Sequence, residues 1–121
     1  MKALLIMAHG SPRPEANEDI RKVAGLVRNE NAWPLVTVAY LDCNEPDIAT
    51  AIDDCVAAGA TTIAAVPYFL HSGKHLLRDV PAILEEGTRR HPAVTILLGD
   101  YVGHEQQIAD VLLDRVRSVD P

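Results

Sequence analysis

Four short apolar runs, each followed by a helix-like stretch, constrain this chain more than any other feature. The runs are KALLIMA (2–8), LVTVAYL (35–41), TTIAAVP (61–67) and VTILLGD (94–100). They are rich in Val and Ile and nearly continuous in apolar character, as strands covered on both faces are. Helical patterns fall at 14–30, 46–58, about 75–90 and 104–119. In the second, Ile48, Ala49, Ile52 and Val56 make one apolar stripe, with Pro46 as a first-turn residue and Gly59 as the C-terminal cap. The fourth carries a matching stripe, Ile108, Val111, Leu112 and Val116, with Arg115 on its rim. Pro81 interrupts the third, which predicts a short first piece and a second one that the proline starts or kinks. Strand-helix alternation of this kind predicts an α/β fold: a three-layer, open, parallel four-stranded sheet with right-handed crossovers. The simplest strand order is the flavodoxin-like 2-1-3-4.

At 121 residues without linker or repeat, the expectation is one domain over 1–121. Aromatic residues are only 4%, so its core must be aliphatic. A net charge of −6 argues against nucleic-acid partners, which need a basic face. It does not exclude an anionic small molecule, because a few local cations outweigh a global balance. No apolar run approaches the ~20 residues that span a bilayer, which predicts no membrane partner. Cys43 and Cys55 form no framework and suit a reducing compartment, so a cytoplasmic protein is expected.

Ligands of open parallel sheets bind beyond the carboxyl ends of strands. Four of the five histidines stand there: His9, His71, His75 and His104, with His91 elsewhere. Imidazole with a neighbouring carboxylate suits divalent transition metals, and neutral imidazole is also a base near neutral pH. Taken singly, each has a plainer role. His9 is an ordinary loop residue, His104 opens the last helix, and Cys43 is a small buried apolar side chain. His71 and His75 are four apart and would share a helical face, although Gly73 lies between them. Other chemistries lose ground. A hydrolase needs a G-x-S-x-G elbow, which is absent. Phosphohistidine enzymes place an arginine directly before His-Gly, where this chain has Ala8. No Walker or G-x-G-x-x-G pattern supports a nucleotide.

The motifs AHGSPRPEANE, AYLDCNEPDIATAI and VPYFLHSGKHLLRDVP, with the helix pattern between them, cover nearly the whole chain. In these it resembles the short, single-domain class II tetrapyrrole metal chelatases, the sirohydrochlorin cobalto- and ferrochelatases of cobalamin and sirohaem biosynthesis. The resemblance implies a chelatase-like half domain and a lyase-type enzyme. Such an enzyme inserts a divalent metal into sirohydrochlorin without ATP or another nucleotide, with cobalt favoured over iron or nickel. It implies that His9 and His75 hold the metal, and His71 is placed to add a ligand or base. The family usually has a glutamate where this chain has Asp42, which is the candidate proton acceptor. Glu45 matches a second acidic position or caps the next helix. His104 resembles a histidine often found after the last strand. For a substrate with eight carboxylates, Arg13, Lys74 and Arg78 are expected to form a positive rim, aided by Ser11 and Ser72. One such half offers a shallow edge to a wide macrocycle, so a symmetric homodimer with facing strand ends is expected. A non-catalytic metal or tetrapyrrole carrier on the same scaffold is the alternative.

Overall fold

Alternation along β1 (Lys2–Ala8) organises the molecule, because its side chains feed two cores at once. In the computed structural model, which describes residues 1–119 without the side chains of 74–77, this strand is central. The sheet order is β2-β1-β3-β4, with all neighbours parallel. Strand β2 is Leu35–Tyr40, β3 is Thr62–Pro67 and β4 is Thr95–Leu98. The helices are α1 (Pro14–Asn29), α2 (Ile48–Ala57), α3 (Lys74–Arg90) and α4 (Gln106–Val119). The expected topology and strand order are those observed.

Ala3, Leu5 and Met7 face one core, formed with Ile48, Ile52 and Cys55 of α2 and with Val80 and Leu84 of α3. Ile6 and Ala8 face the other, against Ile20 and Ala24 of α1. The cores are aliphatic, as the scarcity of aromatic residues requires. Burial pushes the Cys55 thiol up, away from the thiolate form. Strand β2 lies at the sheet edge, where the Arg28 guanidinium donates twice to the Val36 carbonyl, at 3.2 and 2.9 Å. That side chain satisfies a backbone acceptor an edge strand otherwise leaves to solvent.

Three local expectations need correction. Pro46 and Glu45 lie before α2, and the cap is Asp47, whose carboxylate accepts from the Thr50 N–H at 2.8 Å. Pro81 does not divide the third helical pattern; α3 runs continuously from Lys74 to Arg90 with the proline inside. Val80 and Leu84 on either side of it are buried, so packing holds the helix across the residue that propensity disfavours. The last helix begins at Gln106 rather than 104, and none of its side chains is buried. Gly59, with φ +103°, does end α2 as expected.

Candidate functional site

The C-terminal ends of β1 and β2 are tied together beyond the strands themselves. The Leu41 N–H donates to the Ala8 carbonyl at 2.9 Å, and the Asp42 N–H to the His9 carbonyl at 3.1 Å. His9 thus leaves the central strand on a backbone still held in the ladder, with its side chain exposed. Its ring meets Phe69, from the loop after β3, edge-on at a centroid distance of 6.3 Å. That aromatic contact joins two of the three motif loops at the histidine.

Gly10 follows with φ +93°, and a Cβ there would lie 1.9 Å from the Asp42 carbonyl oxygen. Only glycine fits, because both the backbone angle and the space exclude a side chain. The Ser11 N–H donates to Asn44 Oδ1 at 2.7 Å, and Asn17 Nδ2, nearly buried, donates to the Ser11 carbonyl at 3.2 Å. Ser11 Oγ accepts from the Arg13 N–H at 3.1 Å. Asn44 and Asn17 therefore shape the turn that presents His9. Sequence reading missed both, since an asparagine in a polar loop gives no signal of which distant amide it will meet.

Asp42 stands exposed next to this turn, its carboxylate accepting from the Cys43 N–H at 2.8 Å. Cys43 has φ +67° and is exposed and unpaired, so it is not the buried apolar residue expected. Asp42, Glu45, Asp47 and Asp54 line a depression of about 710 Å³ along the β2–α2 loop. Four carboxylates, with no Lys or Arg among the lining residues, make that depression a poor seat for a polyanion.

His71 and Ser72 are exposed in the loop before α3, whose N-cap is Gly73. His71 is consequently outside the helix, and the shared helical face expected for His71 and His75 does not form. Lys74 and His75 open α3, but their side chains lie outside the described residues. Arg78 is exposed one turn further along. Arg13 is exposed too, but its guanidinium is paired with Glu15 at 3.0 Å, which offsets part of its charge. Past β4, the Gly103 N–H donates to the Phe69 carbonyl at 2.9 Å, bringing the last loop beside the third. His104 meets Tyr101 edge-on at 6.3 Å and stands two residues before α4. Among the described residues, no three His, Cys, Asp or Glu side chains are grouped to hold a metal. No helix among them is long and apolar enough to cross a membrane.

An open parallel α/β sheet with a histidine surfacing from its central strand defines a protein that works at its strand ends. The chain belongs to the CbiX family, whose model matches residues 3–119. The sirohydrochlorin cobaltochelatase of Methanococcus aeolicus is 31% identical over 97% of this chain and 99% of its own length. The chloroplastic sirohydrochlorin ferrochelatase of Arabidopsis thaliana is 27% identical over 94% of this chain and 51% of its own. A crystal structure of the sirohydrochlorin chelatase SirB from Bacillus subtilis subspecies spizizenii in complex with cobalt superposes with a TM-score of 0.91 at 26% identity. The match covers 98% of this chain and 50% of that one. The chain thus spans nearly all of a short relative and about half of two longer ones.

Proposed function

We propose that this chain is a sirohydrochlorin chelatase, inserting a divalent metal into the macrocycle without a nucleotide. The observation that carries the reading is the match to a cobaltochelatase that covers 97% of this chain and 99% of that relative. The strand-end histidine on its built turn is what such chemistry requires. Metal insertion removes two pyrrole N–H protons and exchanges the ion's ligands for ring nitrogens. Neutral imidazole serves both needs, holding the ion and accepting protons. His9 and His75 hold the incoming metal in this reading, and His71 is a further ligand or base. Asp42, exposed beside His9, takes a proton. Relatives named for cobalt and for iron both match, and cobalt is the first metal to test, with iron and nickel beside it.

Lys74, Arg78 and Arg13 face the substrate carboxylates in this proposal, with Ser11 and Ser72 as hydrogen-bonding groups. The whole unit, 1–121, acts as one half of a symmetric homodimer whose strand-end faces enclose the ring. Two unpaired cysteines agree with a cytoplasmic setting.

The test is the absorbance spectrum of sirohydrochlorin mixed with cobalt(II) and the protein, followed in time. Wild type is expected to accelerate metallation over the protein-free control. His9→Ala and His75→Ala are each expected to lower the rate about 100-fold. His9→Ala should leave the unfolding midpoint unchanged, because the side chain is exposed. A wild-type rate equal to the control, with stoichiometric binding of the tetrapyrrole, would establish a carrier and overturn the proposal.

A further inference from the structure

The His9 imidazole carries the proposed chemistry, yet the turn beneath it fixes only its backbone. Gly10, Asn44 and Asn17 set where the residue stands, not where its ring points. Among the described residues, His91 alone has a ring nitrogen in a hydrogen bond, to Asp53 at 2.7 Å. An exposed side chain with free χ angles ordinarily visits several rotamers within nanoseconds. A ligand or base that does so is productive for only a fraction of the time.

Phe69 is what the ring meets. The two centroids lie 6.3 Å apart with the planes at 79°, the edge-on arrangement in which aromatic rings attract. Phe69 is the chain's single phenylalanine, in a protein whose cores are aliphatic. It is half-buried, while its neighbours Tyr68 and Leu70 are exposed. Neither core cluster includes it, so core packing does not account for an aromatic side chain at this position.

The backbone around Phe69 is held from both sides. The Tyr68 N–H donates to the Met7 carbonyl at 2.8 Å, which carries the β1–β3 ladder up to the residue before Phe69. From the last loop, the Val102 N–H donates to the Pro67 carbonyl at 3.3 Å and the Gly103 N–H to the Phe69 carbonyl at 2.9 Å. The ring therefore stands on a fixed base beside His9, not at the tip of a free loop. The same loop leads into α3, where His75 follows six residues after Phe69.

From these observations we infer that Phe69 is a positioning residue: its ring holds the His9 imidazole in one orientation, the one in which it meets the incoming metal. Phe69 acts through His9 and touches neither the ion nor a proton in transit. The edge-on contact needs a flat ring, so tyrosine serves at 69 and an aliphatic side chain does not. The inference rests on the metal-holding role proposed above for His9, but the orientation of the ring is measured without metal or substrate.

The experiment is solution NMR of the full chain, reading χ1 of His9 from the three-bond couplings of its β protons. Wild type and Phe69→Tyr are expected to show one rotamer, and Phe69→Leu an average over several. Phe69→Met replaces the leucine variant if that one unfolds. Metallation of sirohydrochlorin with cobalt(II) should follow the ring. Phe69→Leu is expected to lower kcat about 10-fold with the sirohydrochlorin KM unchanged, and Phe69→Tyr to keep the wild-type rate. In a His9→Ala background Phe69→Leu should cost nothing further, because no imidazole is left to aim. A single His9 rotamer in the aliphatic variant, an averaged one in wild type, or a further loss in the His9→Ala background overturns the inference. So does a raised KM with kcat and rotamer unchanged, which would make Phe69 a contact for the macrocycle. A protein with the expected rotamers that inserts no metal would sink the proposed activity and leave the positioning of His9 standing. One that inserts metal with rotamers indifferent to residue 69 would do the reverse.

Discussion

At the β1–β2 end of the sheet the loops hold each other, while at the β4–α4 end the helix is held by almost nothing. The turn after β1 is pinned by backbone bonds to the β2 loop, by Asn44 and by buried Asn17. The far side has a strand of 4 residues with Leu97 and Leu98 about half exposed, and a helix with no buried side chain. Stability is therefore uneven within one small sheet. The built end presents His9 on a turn whose geometry is fixed by its own loops. The bare end presents apolar area that no other element among the described residues covers.

Gly10→Ala is the sharpest way to break that comparison. The new methyl meets the Asp42 carbonyl at a φ of +93°, so the loops after β1 and β2 must part. A loss of roughly 2–4 kcal/mol in urea unfolding is expected, with metallation falling alongside. Leu112→Ala on α4 should cost under about 0.5 kcal/mol at concentrations where the chain is monomeric. Comparable losses at both positions would mean that the two ends are equally built.

Asn44→Ala comes next. It leaves the Ser11 N–H without its partner in a half-buried site, at a cost of about 1–2 kcal/mol. Asn44→Asp keeps an acceptor oxygen and is expected to recover most of that loss. If instead Asn44→Ala lowers the metallation rate while stability holds, Asn44 acts by aiming His9 rather than by bracing the fold.

Much of this was legible in the chain before any coordinates. Nearly continuous apolar runs and helical stripes pointed to the simplest strand order, because a parallel sheet leaves few ways to connect them. His9, at the point where the central strand surfaces, was legible for the same reason. Asn44 and Asn17 were not, since their partners depend on how distant loops approach. Pro81 misled because packing of Val80 and Leu84 overrides local propensity. The stripe of α4 was read correctly as amphipathic, but periodicity says only that a face seeks cover. It does not say what covers it.

Asp47 provides the smallest and most local test of the built end. Its carboxylate caps α2 and is held below the usual carboxylate range by the hydrogen bond from the Thr50 N–H. A carboxyl whose folded pKa is depressed adds stability that is complete above its unfolded value, near 3.9, and is lost as pH falls through the lower folded value. Asp47→Ala should thus cost about 1 kcal/mol at pH 7, where the cap is ionised. The gap between wild type and variant should narrow as the solution is acidified below about pH 4. Asp47→Ser keeps a capping oxygen without the charge, so it should retain most of the stability at pH 7. Solvent exposure screens the charge, which makes geometry the larger contribution. Matched urea titrations of the three proteins at pH 7 and at pH 3 separate the two. If the serine variant falls as far as alanine at pH 7, charge at the helix start, rather than its hydrogen bond, holds the β2–α2 loop beside His9.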